Sequence, residues 1–287
     1  MSIWSRVRRI TPQPTLREQF DRNEGRLADK WLHYFPIYER HLGPFRGRAP
    51  RILEIGVSHG GSIDLWLRYF GHGVEIVGID IAERARALAE PGVAILIGDQ
   101  GDPDFLDSVV RDHGPFDIVI DDGSHRSAHQ RCSLERLWPA VAEGGVYLVE
   151  DLHANYWPEY DGGLRRDGSF IEFTKGLVDD LHAFHTDELE PSEWTKSVGG
   201  LHVYDSVVVL DREQRSAPVS RMTGRPTFPA VYGVPFAEHL DADHLRAIDE
   251  MNRPSRRLRR IATAPRRSLR RVRARRRLPA DLRSELL

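Results

Sequence analysis

Residues 51–81, RILEIGVSHGGSIDLWLRYFGHGVEIVGIDI, decide the fold. Two short apolar runs, RILEIGV and EIVGIDI, flank SIDLWLRYF, whose apolar residues recur at helical spacing. Glycines mark the turn into that helix and the turn out of it. Strand, helix and strand in this order form a βαβ unit, with parallel strands and a right-handed crossover. Strands buried on both faces of a sheet are continuously apolar, as these are.

Outward from this unit the pattern continues. VAILIGD, FDIVIDD and GVYLVED are three more strands, and ERARALA, FLDSVVRDH and AHQRCSLERLWPAV are the helices between. SFIEFTKGLVDDLHAFH reads as a further helix, and LHVYDSVVVLDRE as a strand pair or one long strand. Upstream, residues 15–45 look mainly helical, because Leu27, Trp31, Leu32 and Phe35 keep helical spacing, with Pro36 at a break or a new first turn. The expected layout is a helical segment over 1–48, an α/β core over 49–215, a loop and final helix over 216–252, and an Arg-rich tail over 253–287, expected to be flexible. The loop is expected from the Pro, Gly and Thr of 216–236, and the helix from HLDADHLRAIDEMN. No repeat of 20–50 residues is present.

The chain of 287 residues is 40% hydrophobic, enough for one substantial core. No apolar stretch approaches the ~18 residues of a membrane span. MSIWSRVRRITPQPTL carries arginines but no apolar centre, so no secretory signal is expected. The single cysteine, Cys132, excludes an intrachain disulfide, fits a reducing cytoplasm and reads as a half-buried helix residue. The net charge of −2 conceals a split: 14 arginines against Asp281 and Glu285 give residues 253–287 a charge of +12, and the rest of the chain carries −14.

Ligands of open α/β sheets bind beyond the carboxyl ends of the strands, so the residues ending each strand are the candidate site. Strand one ends EIGVSHGGS, offering Glu54, Gly56 and Ser62. Strand two ends in Asp80, three in Asp99-Gln100, four in Asp121-Asp122 and five in Glu150-Asp151. The loop is not GxGxxG, so the dinucleotide fingerprint fails. Asp80, 24 residues after Gly56, is placed to accept from ribose hydroxyls of NAD or S-adenosylmethionine (SAM). Acids without a pyrophosphate cradle favour the sulfonium, SAM, with Asp99 and Gln100 beside its adenine.

Asp122, Glu150 and Asp151 become neighbours if strands four and five are adjacent. Crowded carboxylates need a cation between them, or one must take a proton. An oxygen set suits Mg²⁺, with Mn²⁺ also fitting. His125, three residues past Asp122, is positioned to act as a general base. A zinc site from His125 and His129 lacks a third sulfur or nitrogen ligand at useful spacing; His129 otherwise reads as a helix-face residue. His153, Tyr156 and Trp157 wall an acceptor site, or Tyr156 and Trp157 cap the core.

LEIGVSHGGS, GIDI, GDQ, FDIVIDDGSHRSAHQ, GGVYLVEDLHANYW, SFIEFTKGLVDDLHAFH and HVYDSVVVL together resemble the metal-dependent sugar O-methyltransferases of macrolide biosynthesis, over about residues 50–212. The most specific feature is the IDDGSH and VEDLH blocks, with 28 residues from Asp122 to Glu150. The resemblance implies a doubly wound, mainly parallel, seven-stranded Rossmann-like class I methyltransferase sheet. It implies Asp122, Glu150 and Asp151 as Mg²⁺ ligands and His125 as base. It implies a SAM site lined by Glu54, Gly56, Asp80 and Gln100, with Asp121 facing it. Macrolide members carry a larger N-terminal domain that helps form oligomers, and about 45 residues precede the core here.

RRLRRIATAPRRSLRRVRARRR has no counterpart in that pattern. It is a solvated tail, a segment for an anionic membrane surface with Leu258, Ile261, Leu269 and Val272 as small apolar stripes, or a phosphate-binding arm for nucleic acid. The absence of aromatics disfavours the last. The expected function is a SAM- and Mg²⁺-dependent methyltransferase acting on a sugar hydroxyl of a glycosylated natural product, glycolipid or envelope glycan. It would lie in the cytoplasm or against the inner membrane face, with a homo-oligomer possible. Two alternatives remain: a non-catalytic, nucleic-acid- or membrane-binding protein that retains the fold, and an NAD-linked Rossmann enzyme.

Overall fold

The computed structural model describes residues 13–221, 223, 230–231 and 234–235. Two compact units divide at residue 216. In the second, Ala230–Val231 (β8) pairs antiparallel with Val234–Pro235 (β9). The expected final helix and the Arg-rich tail lie outside the described residues.

The first unit is a seven-stranded sheet of β1 (Arg51–Ile55), β2 (Glu75–Asp80), β3 (Val93–Ile97), β4 (Phe116–Asp121), β5 (Val141–Val149), β6 (Val198–Val203) and β7 (Val208–Arg212). Their order is β3-β2-β1-β4-β5-β7-β6. β1 to β5 are mutually parallel, while β7 runs antiparallel to both β5 and β6. This is the class I methyltransferase sheet. The order reverses between β1 and β4, where a doubly wound sheet opens its ligand crevice.

Helices α1 (Leu16–Asp21), α2 (Phe35–His41) and α3 (Gly61–Phe70) cover one face; α4 (Pro103–His113), α5 (Ser127–Leu137) and α6 (Phe170–His182) cover the other, with α7 (Glu193–Ser197) beside α6. Side chains of a strand alternate between faces. Ile52, Ile118, Ile120 and Leu148 therefore join Tyr38, Trp66 and Phe70 in one core, while Leu53, Val119, Tyr147 and Val149 join Leu106, Leu134 and Phe170 in the other. Local chemistry starts the helices: Thr15 and Glu18 form a reciprocal capping box at α1, and Asp102 caps α4 ahead of Pro103. Pro36 sits in the first turn of α2.

The helical expectation for 15–45 holds only at its ends. Residues 22–31 carry no helix, and Leu27, Trp31 and Leu32 are exposed. Ion pairs override the apolar spacing. Arg26 reaches Asp64 of α3 at 2.5 Å and Glu90 at 2.6 Å, and Lys30 is drawn to the carboxyl edge of the sheet. This strap crosses the start of α3, where a Cβ on Gly61 would come 2.2 Å from the Leu27 carbonyl oxygen. ERARALA is a 3-10 turn over Glu83–Leu88, which the Glu90–Val93 bridge and Pro91 leave no room to extend. LHVYDSVVVLDRE belongs to the β6–β7 pair. Cys132 is half-buried on α5, and burial pushes its thiol up.

Candidate active site

The carboxyl ends of β1 to β5 surround a cleft of about 870 Å³. Gly56, Ser62, Asp80, Asp99, Gln100, Asp122, His125, Glu150 and Asp151 line it; Glu54 and Asp121 do not. The strap supplies much of the opposite wall, from Leu27 to Leu32.

Gly56, at φ +88°, is required by the fold more than by a ligand. A Cβ there would lie 2.0 Å from the backbone oxygen of Asp122, so the β1 and β4 turns touch at this point. Asp80 organises the loop beside it: its two oxygens accept from Ser58 N–H at 2.9 Å and Ala82 N–H at 2.8 Å. Gln100 is buried, accepts from Ser124 N–H at 2.8 Å and donates to Asp121 at 2.6 Å.

Alternation along the strands explains the two acids that miss the cleft. Glu54 points with Ile52 beneath α3, where Trp66 donates to it at 3.1 Å. Burial raises its carboxyl, with Lys30 partly offsetting. Asp121 points with Val119 towards α5, where Ser133 and Gln100 donate to it. Burial pushes it up to about 6, partly offset by those donors.

Asp122, Glu150 and Asp151 do converge. Lys30, which no motif marks, places its ammonium between the first two, donating to Asp122 Oδ2 and, at 2.9 Å, to Glu150 Oε2. Its side chain is 4% exposed and that of Glu150 only 1%. Tyr38 donates to the other Glu150 oxygen at 2.7 Å, and Tyr34 to Asp151 Oδ1 at 2.6 Å. Both phenols are raised, by burial first and by their carboxylate partners second, so they remain donors. Lys30 lies outside any helix, so its fourth-residue spacing to Tyr34 and Tyr38 is no helical signal and nothing local marks it.

A cation thus already sits among the acids. Burial works against the Lys30 charge, but Asp122 and Glu150 outweigh it and hold the ammonium well above its usual value. Glu150 is pushed up to about 8, by burial first and the Asp122 charge second. The Lys30 ammonium between Asp122 and Glu150 relieves that crowding.

His125 faces the outer side of the cluster. Its Nε2 lies 3.6 Å from Asp151 Oδ2 and 4.0 Å from Asp122 Oδ1, while its Nδ1 is buried without a partner among the described residues. One ligand atom each from Asp122, His125 and Asp151 lies within 4.8 Å of the others, so an ion held by the two carboxylates would lie beside the imidazole. Glu150 reaches such an ion only by releasing Lys30 or Tyr38. His129 instead meets Ser124 Oγ at 3.0 Å and stands 3.7 Å from Asp99, so the two imidazoles have separate partners.

Ser58, His125 and Asp151 all hold positive φ, near +50°. Ala49, Asp161, Arg165 and Ser206 share that left-handed backbone outside the cleft, so it does not by itself mark the site. Gln130 holds Asp151's neighbour by donating to the Glu150 carbonyl at 3.1 Å, and Asn155 in turn holds Gln130 at 2.8 Å.

Tyr156 and Trp157 are 45% and 48% exposed, so they do not cap the core. Trp31, His153, Trp157 and Tyr160 follow one another at centroid separations of 5.7, 5.1 and 6.0 Å, and Tyr160 stands 6.4 Å from His125. This aromatic wall runs from the strap to the imidazole.

A family model described as a methyltransferase domain matches residues 53–152. The 8-demethyl-8-alpha-L-rhamnosyl tetracenomycin-C 2'-O-methyltransferase of Streptomyces olivaceus is 40% identical over 202 residues, covering 66% of this chain and 53% of the relative. The mycinamicin VI 2''-O-methyltransferase of Micromonospora griseorubida is 39% identical over 200 residues, covering 63% and 49%. The solved MycE methyltransferase of the mycinamycin pathway, in complex with Mg, SAH and mycinamycin VI, superimposes with a TM-score of 0.66 at 32% identity, over 83% of this chain and 60% of that one. The chain therefore spans about half the length of the curated relatives it matches. Among the described residues no helix is long and apolar enough to cross a membrane.

Proposed function

This chain carries the class I methyltransferase fold and is related to the tetracenomycin and mycinamicin sugar O-methyltransferases, and on that premise we propose that it transfers the methyl group of SAM to a sugar hydroxyl on a glycosylated natural product. The observation carrying this is the convergence of Asp122, His125 and Asp151 at the mouth of the cleft, next to an exposed aromatic wall.

The cleft suits a cationic cofactor: Asp29, Asp80, Asp99, Asp122, Glu150 and Asp151 line it against Lys30 and Arg84. Asp80 keeps lone pairs free beyond its two backbone bonds and takes the ribose diol. Asp99 and Gln100 lie beside the base, and Gly56 and Ser62 beside the amino-acid end. Glu54 and Asp121 act from behind the wall, Asp121 by fixing Gln100.

Asp122 and Asp151 would hold Mg²⁺ or Mn²⁺, with Glu150 as the third carboxylate once it gives up Lys30. When bound, the ion lowers the pKa of a sugar hydroxyl and fixes its direction. His125 Nε2 takes the proton of that hydroxyl. Tyr34, Tyr38 and Lys30 hold the carboxylates in place, and the strap excludes water from the cleft. Trp31, His153, Trp157 and Tyr160 offer the faces on which the C–H surface of a sugar packs. Rate enhancement comes mainly from alignment of oxygen, methyl carbon and sulfur, since the sulfonium methyl is already reactive.

The test is release of S-adenosylhomocysteine across a panel of free, macrolide-linked and lipid-linked deoxysugars, with and without EDTA. Turnover with a glycosylated acceptor, abolished by EDTA, is expected. Turnover that persists in excess EDTA overturns the metal role, and no turnover with any sugar overturns the acceptor class.

A further inference from the structure

A second cluster of ligating side chains lies away from the cleft, where α2 meets the β6–β7 pair. His41 ends α2, His202 lies on β6 and Asp211 on β7. In that pair Gly200 stands opposite Asp211 and His202 opposite Val209, so His202 and Asp211 are diagonal neighbours on one face. The two imidazoles address different oxygens of one carboxylate. His202 Nε2 lies 2.7 Å from Asp211 Oδ2, and His41 Nδ1 lies 3.8 Å from Oδ1. One ligand atom from each of the three residues falls within 4.8 Å of the others.

We propose that His41, His202 and Asp211 form a structural site for a transition-metal dication of the zinc class, with its remaining position open to water. Two imidazoles and a carboxylate are a nitrogen-rich set, suited to Zn²⁺, Co²⁺ or Ni²⁺ and poor for Mg²⁺. The surroundings match what such ligands need. The second nitrogen of His41 is held 2.9 Å from the Tyr204 hydroxyl, which fixes the ring and leaves Nδ1 for the ion. Burial pushes the Asp211 carboxyl up, but the neighbouring imidazoles outweigh it and hold the group below the usual carboxylate value. Gly200 keeps the space clear: a Cβ there would come 3.0 Å from Asp211 Oδ2 and 3.1 Å from His202 Nε2. An ordinary hydrogen bond explains the His202–Asp211 pair alone. It leaves unexplained why a buried imidazole aims a nitrogen at the other oxygen from beyond bonding distance.

The ion would clip the end of α2 to the antiparallel edge of the sheet. α2 carries Tyr38 to Glu150, so the clip supports the cleft without touching it. The His33–Asp205 pair, 3.9 Å apart and more exposed, offers no third ligand among the described residues and serves as the control.

The test uses the full chain without a histidine tag, carrying Asp122→Asn so that the cleft cluster is weakened. Co²⁺ should bind at one per chain with visible bands of a low-symmetry site. Zn²⁺ at about 100-fold over its Kd should raise the melting midpoint by roughly 5–10 °C. Adding His202→Gln or, independently, Asp211→Asn should weaken binding at least about 30-fold, while the metal-free midpoints stay within about 2 °C of the parent; adding His33→Gln should change nothing. The proposal is overturned if Zn²⁺ affinity is unchanged within about three-fold in both variants, or if the parent shows no saturable binding.

Discussion

Replacing Lys30 with methionine keeps most of the stem volume and removes one charge from the most buried part of the site. Glu150 then loses the donor on Oε2, keeps Tyr38 on Oε1, and faces Asp122 with no charge between them. Breaking a buried pair by deleting one partner costs about 3–5 kcal/mol when the survivor stays ionised. Here the survivor has an exit. Its carboxyl already stands at about 8 through burial and the Asp122 charge, and loss of the ammonium moves it higher. Taking up a proton in the variant holds the loss near the lower end, about 3 kcal/mol. For a domain of this size that is a fall in melting midpoint of roughly 6–12 °C. The folded carboxyl lies above its unfolded value, so its contribution is full at low pH and lost as pH rises through the folded value; the deficit should widen above pH 8. Adding Glu150→Gln removes the stranded acid and should return the protein to within about 1 kcal/mol of wild type. Thermal and urea unfolding in EDTA measure all three proteins. A loss under about 1 kcal/mol in the single variant, or a double variant no more stable than the single one, would show that Lys30 does not neutralise the buried Glu150.

Three further outcomes are expected. Gly56→Ala, whose Cβ would meet the Asp122 carbonyl at 2.0 Å from a left-handed backbone, should lose at least about 3 kcal/mol, whereas Gly176→Ala on α6, with open space around it, should gain up to about 1 kcal/mol in urea unfolding. Burial raises Asp64, but the Arg26 guanidinium and N–H outweigh it and hold it below its ordinary 3.8; its contribution is present above about pH 4 and lost as pH falls through the folded value, so Asp64→Asn should remove about 1 kcal/mol of the acid-side loss measured by urea midpoints. His125→Ala should lower kcat by about 10²–10⁴ and flatten its pH profile while SAM affinity stays within a few-fold; an unchanged profile removes it as the base.

The sheet was legible because buried parallel strands leave continuous apolar runs, and because the acids ending β2, β4 and β5 sit where ligand edges form. Two kinds of information were not. The side a strand-end residue takes depends on alternation, so Glu54 and Asp121, counted among the edge acids, turn into opposite cores. Long-range ion pairs leave no local trace: Lys30 lies 92 residues from Asp122 and 120 from Glu150, and nothing in ADKWLH announces either partner. The same blindness misread residues 22–31 as helix, since Leu27, Trp31 and Leu32 keep helical spacing while Arg26 and Lys30 tie the segment to α3 and to the sheet edge. Crowded carboxylates need a cation between them, and the first cation to meet Asp122 and Glu150 belongs to the chain itself.

The decisive measurement is calorimetric titration of Mg²⁺ into the S-adenosylhomocysteine-loaded protein, wild type against Asp122→Asn/Asp151→Asn. One ion per wild-type chain, weakened at least about 30-fold in the double variant with S-adenosylhomocysteine affinity kept within about three-fold, would establish that the β4 and β5 edge holds the ion beside the cofactor cleft. Equal Mg²⁺ affinity in the two proteins, or no Mg²⁺ binding to wild type, would contradict it.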